Sequence, residues 1–77
     1  MYEKRIIELF EQYYSNVEEK SKFIQIEEEE LKEGRQIRIM LKIPAKTQFI
    51  KHLDYLFGEN GTVLAQGTKI IIVYLLK

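Results

Sequence analysis

The sequence contains no cysteine and no tryptophan, and its only histidine is His52. Without cysteine the chain can form neither a disulfide nor a thiolate metal site, and it has no cysteine nucleophile. A single histidine among scattered carboxylates matches no recognised metal-ligand spacing. The lack of cysteine is typical of a reducing compartment, so we predict a cytoplasmic protein.

Long apolar runs and glycine-rich loops are also missing. The longest apolar stretch, at the end of the chain, is far shorter than the roughly 20 residues that span a bilayer, so no membrane partner is predicted. Met1 to Arg5 leads into a charged, periodic segment instead of the apolar run of a signal peptide. No phosphate-binding glycine loop and no serine triad is recognisable. We therefore predict a non-enzymatic protein with no cofactor and no metal.

The chain has 77 residues, which predicts one domain over residues 1–77. Hydrophobic residues make up 45% of it, a fraction typical of a folded chain. A core of this size is marginal, and small chains often depend on a partner for stability. The abundance of lysine, glutamate and isoleucine fits a thermophilic source or an AT-rich genome equally well.

Two helices are predicted from apolar residues that recur at three- and four-residue steps. The first runs from Tyr2 to about Lys20, with Ser15-Asn16 as an alternative end. The second begins at Ala45 or Lys46 and runs to Phe57, and Gly58 is expected to end it because glycine readily adopts positive φ angles.

Four strands are predicted from period-two spacing, in two hairpins that turn at Glu33-Gly34 and at Gln66-Gly67. In the first hairpin the apolar faces favour Ile26 opposite Leu41, which places Glu29 opposite Arg38. In the second they favour Val63 opposite Ile70. The predicted strands are residues 22–31, 35–43, 62–65 and 69–76.

The last strand, residues 70–76, is apolar on both alternating faces, which predicts a central strand or a subunit interface. The fold is therefore predicted to be α+β, in the order α-β-β-α-β-β, with a four-stranded antiparallel sheet and two helices packed on one face. The other face would stay apolar, and we predict a homodimer through it or through the edge of the last strand. The predicted interface residues are Phe23, Met40, Ile71, Val73 and Leu75.

Charge is balanced overall but divided along the chain. Residues 1–31 carry four basic and nine acidic side chains, whereas residues 32–52 carry six basic and one acidic. Basic residues of the first hairpin are predicted to form a strip along one face, a pattern that can bind nucleic acid. The strip consists of Lys32, Arg35, Arg38 and Lys42.

Two functional interpretations follow. The leading one is a small binding or regulatory protein that acts through protein–protein contacts, as a homodimer. The alternative is a nucleic-acid-binding protein that uses the basic strip. The acidic run Glu27 to Glu30 does not favour a cation site, because a strand places two of its carboxylates on each face. His52 and Asp54 do not form a catalytic dyad, because helix residues two apart point in different directions.

Overall fold

The computed structural model describes residues 2–58 and 61–76. Its four strands form one antiparallel sheet in the order β1-β2-β4-β3, and both helices pack against one face. The predicted fold class and element order are confirmed. The elements are α1 (Tyr2–Tyr13), a short 3-10 turn (Lys20–Lys22), β1 (Ile24–Leu31), β2 (Gly34–Leu41), α2 (Thr47–Phe57), β3 (Thr62–Gln66) and β4 (Lys69–Leu76).

Helix α1 ends at Tyr13, so the predicted extension to Lys20 is wrong. The reason lies in the next residue, Tyr14, whose side chain is buried. Its hydroxyl donates to the Pro44 carbonyl oxygen at 2.8 Å and accepts from the Lys46 backbone N–H at 2.7 Å. These two bonds tie the end of α1 to the loop that enters α2. Helix α2 ends where predicted, at Gly58, which adopts a φ of +91°.

Both hairpins pair in registers that differ by two residues from the predicted ones, because each turn is displaced by one residue, to Lys32-Glu33 and to Gly67-Thr68. Leu31 pairs with Gly34 across the turn, and Ile26 pairs with Ile39 instead of Leu41. In the second hairpin, Val63 pairs with Ile72 instead of Ile70. A two-residue shift leaves every side chain on its original face, because strand side chains alternate with a period of two. The predicted faces of these strands are therefore right although the cross-strand partners are wrong.

The core lies between the helices and one face of the sheet. At its centre, the fully buried Phe49 ring of α2 contacts the rings of Phe10 and Tyr14 at centroid distances of 6.0 and 5.6 Å. Such edge-to-face aromatic pairs stabilise a core beyond the area they bury. The buried residues around them are Ile6, Leu9, Ile24, Ile37, Ile39, Leu41, Leu53, Ile72 and Tyr74.

Tyr74 is the one core residue of β4 with a polar end. Its hydroxyl donates to Asp54 Oδ1 of α2 at 2.7 Å. Gly61 passes so close to the ring that an added Cβ would lie 2.5 Å from Tyr74 Cε1, so glycine is required there. Burial, then the hydrogen bond to Asp54 and the negative charge of that carboxylate, raise the pKa of Tyr74 well above its ordinary value near 10.

This raised pKa makes the folded state sensitive to alkaline pH. Above pH ~10, Tyr74 loses its proton in the unfolded chain but keeps it in the folded chain. The folded state therefore binds more protons, and the free energy of unfolding should fall by up to about 1.4 kcal/mol per pH unit. Below pH ~10 the contribution is fully present. Urea unfolding of wild type and Tyr74→Phe between pH 9 and pH 11 measures the difference between their slopes. Parallel slopes would contradict this account of Tyr74.

Candidate functional site: the open face of the sheet

The open face is the side of the sheet opposite the two helices. Residues that pair directly across antiparallel strands share a face, so the strand registers assign its members. One row crosses the sheet as Gln25, Met40, Ile71 and Leu64. The next rows are Glu27, Arg38, Val73 and Thr62, and then Glu29, Gln36 and Leu75.

The middle of this face is apolar. Met40, Ile71 and Val73 are half-buried by their neighbours, whereas Leu64 and Leu75 are 47% and 55% exposed. None of the five belongs to the hydrophobic cluster beneath the helices. We call Met40, Leu64, Ile71, Val73 and Leu75 the apolar strip. Its four members on β2 and β4 were expected from the sequence, but Leu64 was not, since the predicted hairpin register did not set it beside Ile71.

Phe23, the remaining residue of the predicted interface, lies just before β1. It closes the 3-10 turn with a helical backbone conformation and is half-buried against the core cluster. Its carbonyl oxygen accepts a hydrogen bond from the Lys42 backbone N–H at 2.9 Å. Phe23 is therefore outside the strands that build the open face.

Charged residues border the apolar strip on the β1 side. Arg38 Nη2 donates to Glu27 Oε2 at 3.1 Å, next to Val73 in the same row. The predicted partner of Arg38 was Glu29, and the two-residue register shift replaces it with Glu27. The two ends of the face differ in charge. Glu29 lies in the row of Leu75 at one end, and Lys69 lies at the other end, two residues before Ile71 on β4.

The four residues of the predicted basic strip do not share a face. Arg35 and Arg38 are three apart on β2, so they point to opposite sides of the sheet. Arg35 lies 3.9 Å from a Glu28 carboxylate oxygen, and Arg38 binds Glu27. Lys32 occupies the exposed hairpin turn and Lys42 follows the end of β2. The expectation of one continuous strip is wrong, because positions of odd separation alternate along a strand.

The two edges of the sheet are β1 and β3, and β4 lies between β2 and β3. Of the two predicted places for the last strand, a central strand or a subunit interface, the sheet order shows the central one. A dimer contact through the edge of β4 is blocked wherever β4 pairs with both β2 and β3. Residues Lys69 to Val73 of β4 pair with β3, and residues Ile70 to Leu76 pair with β2.

A second polar cluster lies between the helices. Tyr13 Oη is 3.1 Å from His52 Nδ1, and the Tyr55 ring stands edge-on to the imidazole at 6.3 Å. Lys51 and Gln48 complete a shallow, open depression around them. Tyr13 and His52 thus link α1 to α2. Asp54 accepts its hydrogen bond from Tyr74 and makes none with His52, so His52 and Asp54 do not form an acid–base dyad.

The size of the open face bears on what it can bind. Three strands of eight residues and one of five, about 4.8 Å apart, cover on the order of 500 Å². A contact between two such faces would bury about 1,000 Å² in total, which is the lower limit of a specific protein interface. The face is thus large enough for one protein partner.

Over residues 2–58 and 61–76, no helix is long and apolar enough to cross a membrane. Comparison of the chain with protein-family models, with curated proteins and with solved structures gives no match.

Proposed function

We propose that this chain is a small non-enzymatic protein that works through protein–protein contacts and pairs with a second copy of itself through the open face. The observation that carries the proposal is the apolar strip, which lies on the sheet face without helices and leaves Leu64 and Leu75 about half exposed. Contiguous apolar surface of this kind is typical of interaction sites.

The apolar strip contains no charged side chain, so a second copy of this chain fits as its occupant. A two-fold axis in the plane between two sheets and perpendicular to their strands reverses the order of the rows. The row of Ile71 of one copy then faces the row of Val73 of the other, and the two apolar strips meet in the middle. Sheets that pack face to face in this manner lie about 10 Å apart and exclude water from their inner side chains.

Cysteine labelling tests the proposal, because the chain has no cysteine of its own. Ile71→Cys places a thiol within the apolar strip, and Tyr55→Cys places one on α2, where the native side chain is 85% exposed. We expect the rate of maleimide labelling at position 71 to fall as protein concentration rises from nanomolar to micromolar. The rate at position 55 should not change. A rate at position 71 that is independent of concentration would contradict pairing through the open face.

Nucleic-acid binding is the second candidate and has less support. Glu27 and Glu28 pair with the two arginines of the basic strip, and over residues 2–58 and 61–76 the strip's remaining cations without an acidic partner are Lys32 and Lys42. We expect no binding of labelled DNA or RNA in an anisotropy titration at ~50 mM salt, where phosphate contacts are still strong. Salt-dependent binding that Arg35→Ala/Arg38→Ala abolishes would instead favour this candidate.

A further inference from the structure

Strand β3 is an edge without the features that normally protect one. Among the described residues it pairs only with β4, and all five of its residues are exposed. Its sequence, Thr-Val-Leu-Ala-Gln, contains neither a charge nor a proline. An edge strand presents unpaired backbone N–H and C=O groups, and natural proteins usually shield them with charged side chains, prolines or bulges.

The opposite edge, β1, shows how this sheet can be shielded. It carries four consecutive glutamates, Glu27 to Glu30, and two copies of β1 would place these negative charges close together. β3 has nothing comparable. The unpaired backbone groups of β3 can be satisfied by another extended strand. Because the side chains of β3 are neutral, that strand can be β3 of a second copy without any charge repulsion.

We propose that β3 pairs antiparallel with β3 of a second copy of this chain, about a two-fold axis that passes through Leu64. This centre gives the longest ladder, because Leu64 is the middle residue of the strand. Leu64 then faces its own copy, Val63 faces Ala65 and Thr62 faces Gln66. No charged pair arises, and apolar residues meet apolar residues.

Edge pairing does not depend on the proposed contact through the open face. It joins the two sheets side by side, so the apolar strips of both copies become continuous through the two Leu64 side chains. The edge contact alone gives a dimer, and together with the open-face contact it gives a tetramer. Substitutions on the helix side of β3 test the edge without altering the open face.

Charge exchange at Val63 and Ala65 provides that test. Both side chains belong to the helix side of β3, where Val63 is 50% exposed and Ala65 is exposed, so the fold should accept polar replacements. Val63→Lys/Ala65→Lys puts lysine opposite lysine twice in the pair, and Val63→Glu/Ala65→Glu does the same with glutamate. We expect light scattering to give each variant half the molar mass of the wild type. An equimolar mixture, in which lysine faces glutamate, should recover the wild-type value.

A cysteine cross-link gives an independent measure if the charged variants unfold. In the proposed pair, the Leu64→Cys residues of two copies lie directly opposite, at a Cα separation within the range of a disulfide. Sheets packed face to face are about 10 Å apart, too far for this bond. Mild oxidation should convert Leu64→Cys, but not the exposed control Tyr55→Cys, into a covalent dimer. Wild-type molar mass for both charged variants, or no cross-linking at position 64, would overturn the proposal.

Discussion

The substitution Val73→Glu is expected to halve the molar mass of the protein in solution while the protomer stays folded. Val73 lies at the centre of the apolar strip, paired with Arg38 on one side and Thr62 on the other. In an isolated protomer the new carboxylate would sit next to the Arg38 guanidinium and remain in contact with water. In a face-to-face dimer it would be buried against apolar side chains, and taking a carboxylate out of water costs several kcal/mol even beside Arg38, which already pairs with Glu27.

A cost of about 3 kcal/mol raises the dissociation constant of the open-face contact by about two orders of magnitude. Light scattering after size exclusion at micromolar concentration measures the molar mass, and circular dichroism verifies the fold. Tyr55→Glu is the matched control, because it adds the same charge at a highly exposed position on α2. A folded Val73→Glu protein with the molar mass of the wild type would show that the open face is not the contact.

The substitution Phe49→Ala is expected to lower the free energy of unfolding by about 3–5 kcal/mol. Phe49 is fully buried, and its ring contacts those of Phe10, Tyr13 and Tyr14. Truncating a buried phenylalanine to alanine costs about 3–5 kcal/mol, since it removes apolar burial and leaves a cavity. A chain of 77 residues has a total stability of about 4–12 kcal/mol, so the loss takes a large share of it.

Urea unfolding followed by circular dichroism measures this loss. Tyr55→Ala on the same helix serves as the control and should change the free energy of unfolding by less than about 0.5 kcal/mol, because its ring lies almost wholly in solvent. A loss below about 1 kcal/mol for Phe49→Ala would contradict the placement of this ring at the centre of the core.

Side-chain periodicity predicted which residues face the core, but it could not fix the strand registers. A shift of two residues keeps Ile26 and Leu41 on the core face, so the apolar pattern accepts either register. The turns decide between them, and they select the pairings Leu31–Gly34 and Gln66–Lys69. Local turn energies of this kind are difficult to compare from sequence alone.

The end of α1 was not predictable for a different reason. Tyr14 fits the apolar stripe of a continuing helix, but its hydroxyl bonds to Pro44 and Lys46 thirty or more residues away. A tertiary contact therefore overrides the local helical pattern. The positions of Arg35 and Arg38, in contrast, follow from the sequence. The two residues are an odd number of positions apart on one strand, so their side chains lie on opposite faces of the sheet.

The two apolar faces of the last strand predicted a central strand or a subunit interface, and the sheet order shows the central position. The same feature explains the open face. The helices cover Ile72 and Tyr74, whereas Ile71, Val73 and Leu75 lie on the other side of the strand. A layer of two helices buries one face of a sheet, so apolar residues on both faces indicate a second covering layer.

Sedimentation equilibrium from 1 to 100 μM of the Val63→Lys/Ala65→Lys variant, which lacks the edge contact, tests most directly whether a second copy supplies that layer. We expect a molar mass of at least twice the 9.2 kDa of one chain at the upper concentrations, with a decrease on dilution. A molar mass of 9.2 kDa throughout the range would show that the open face meets water, and it would contradict the account given for this protein.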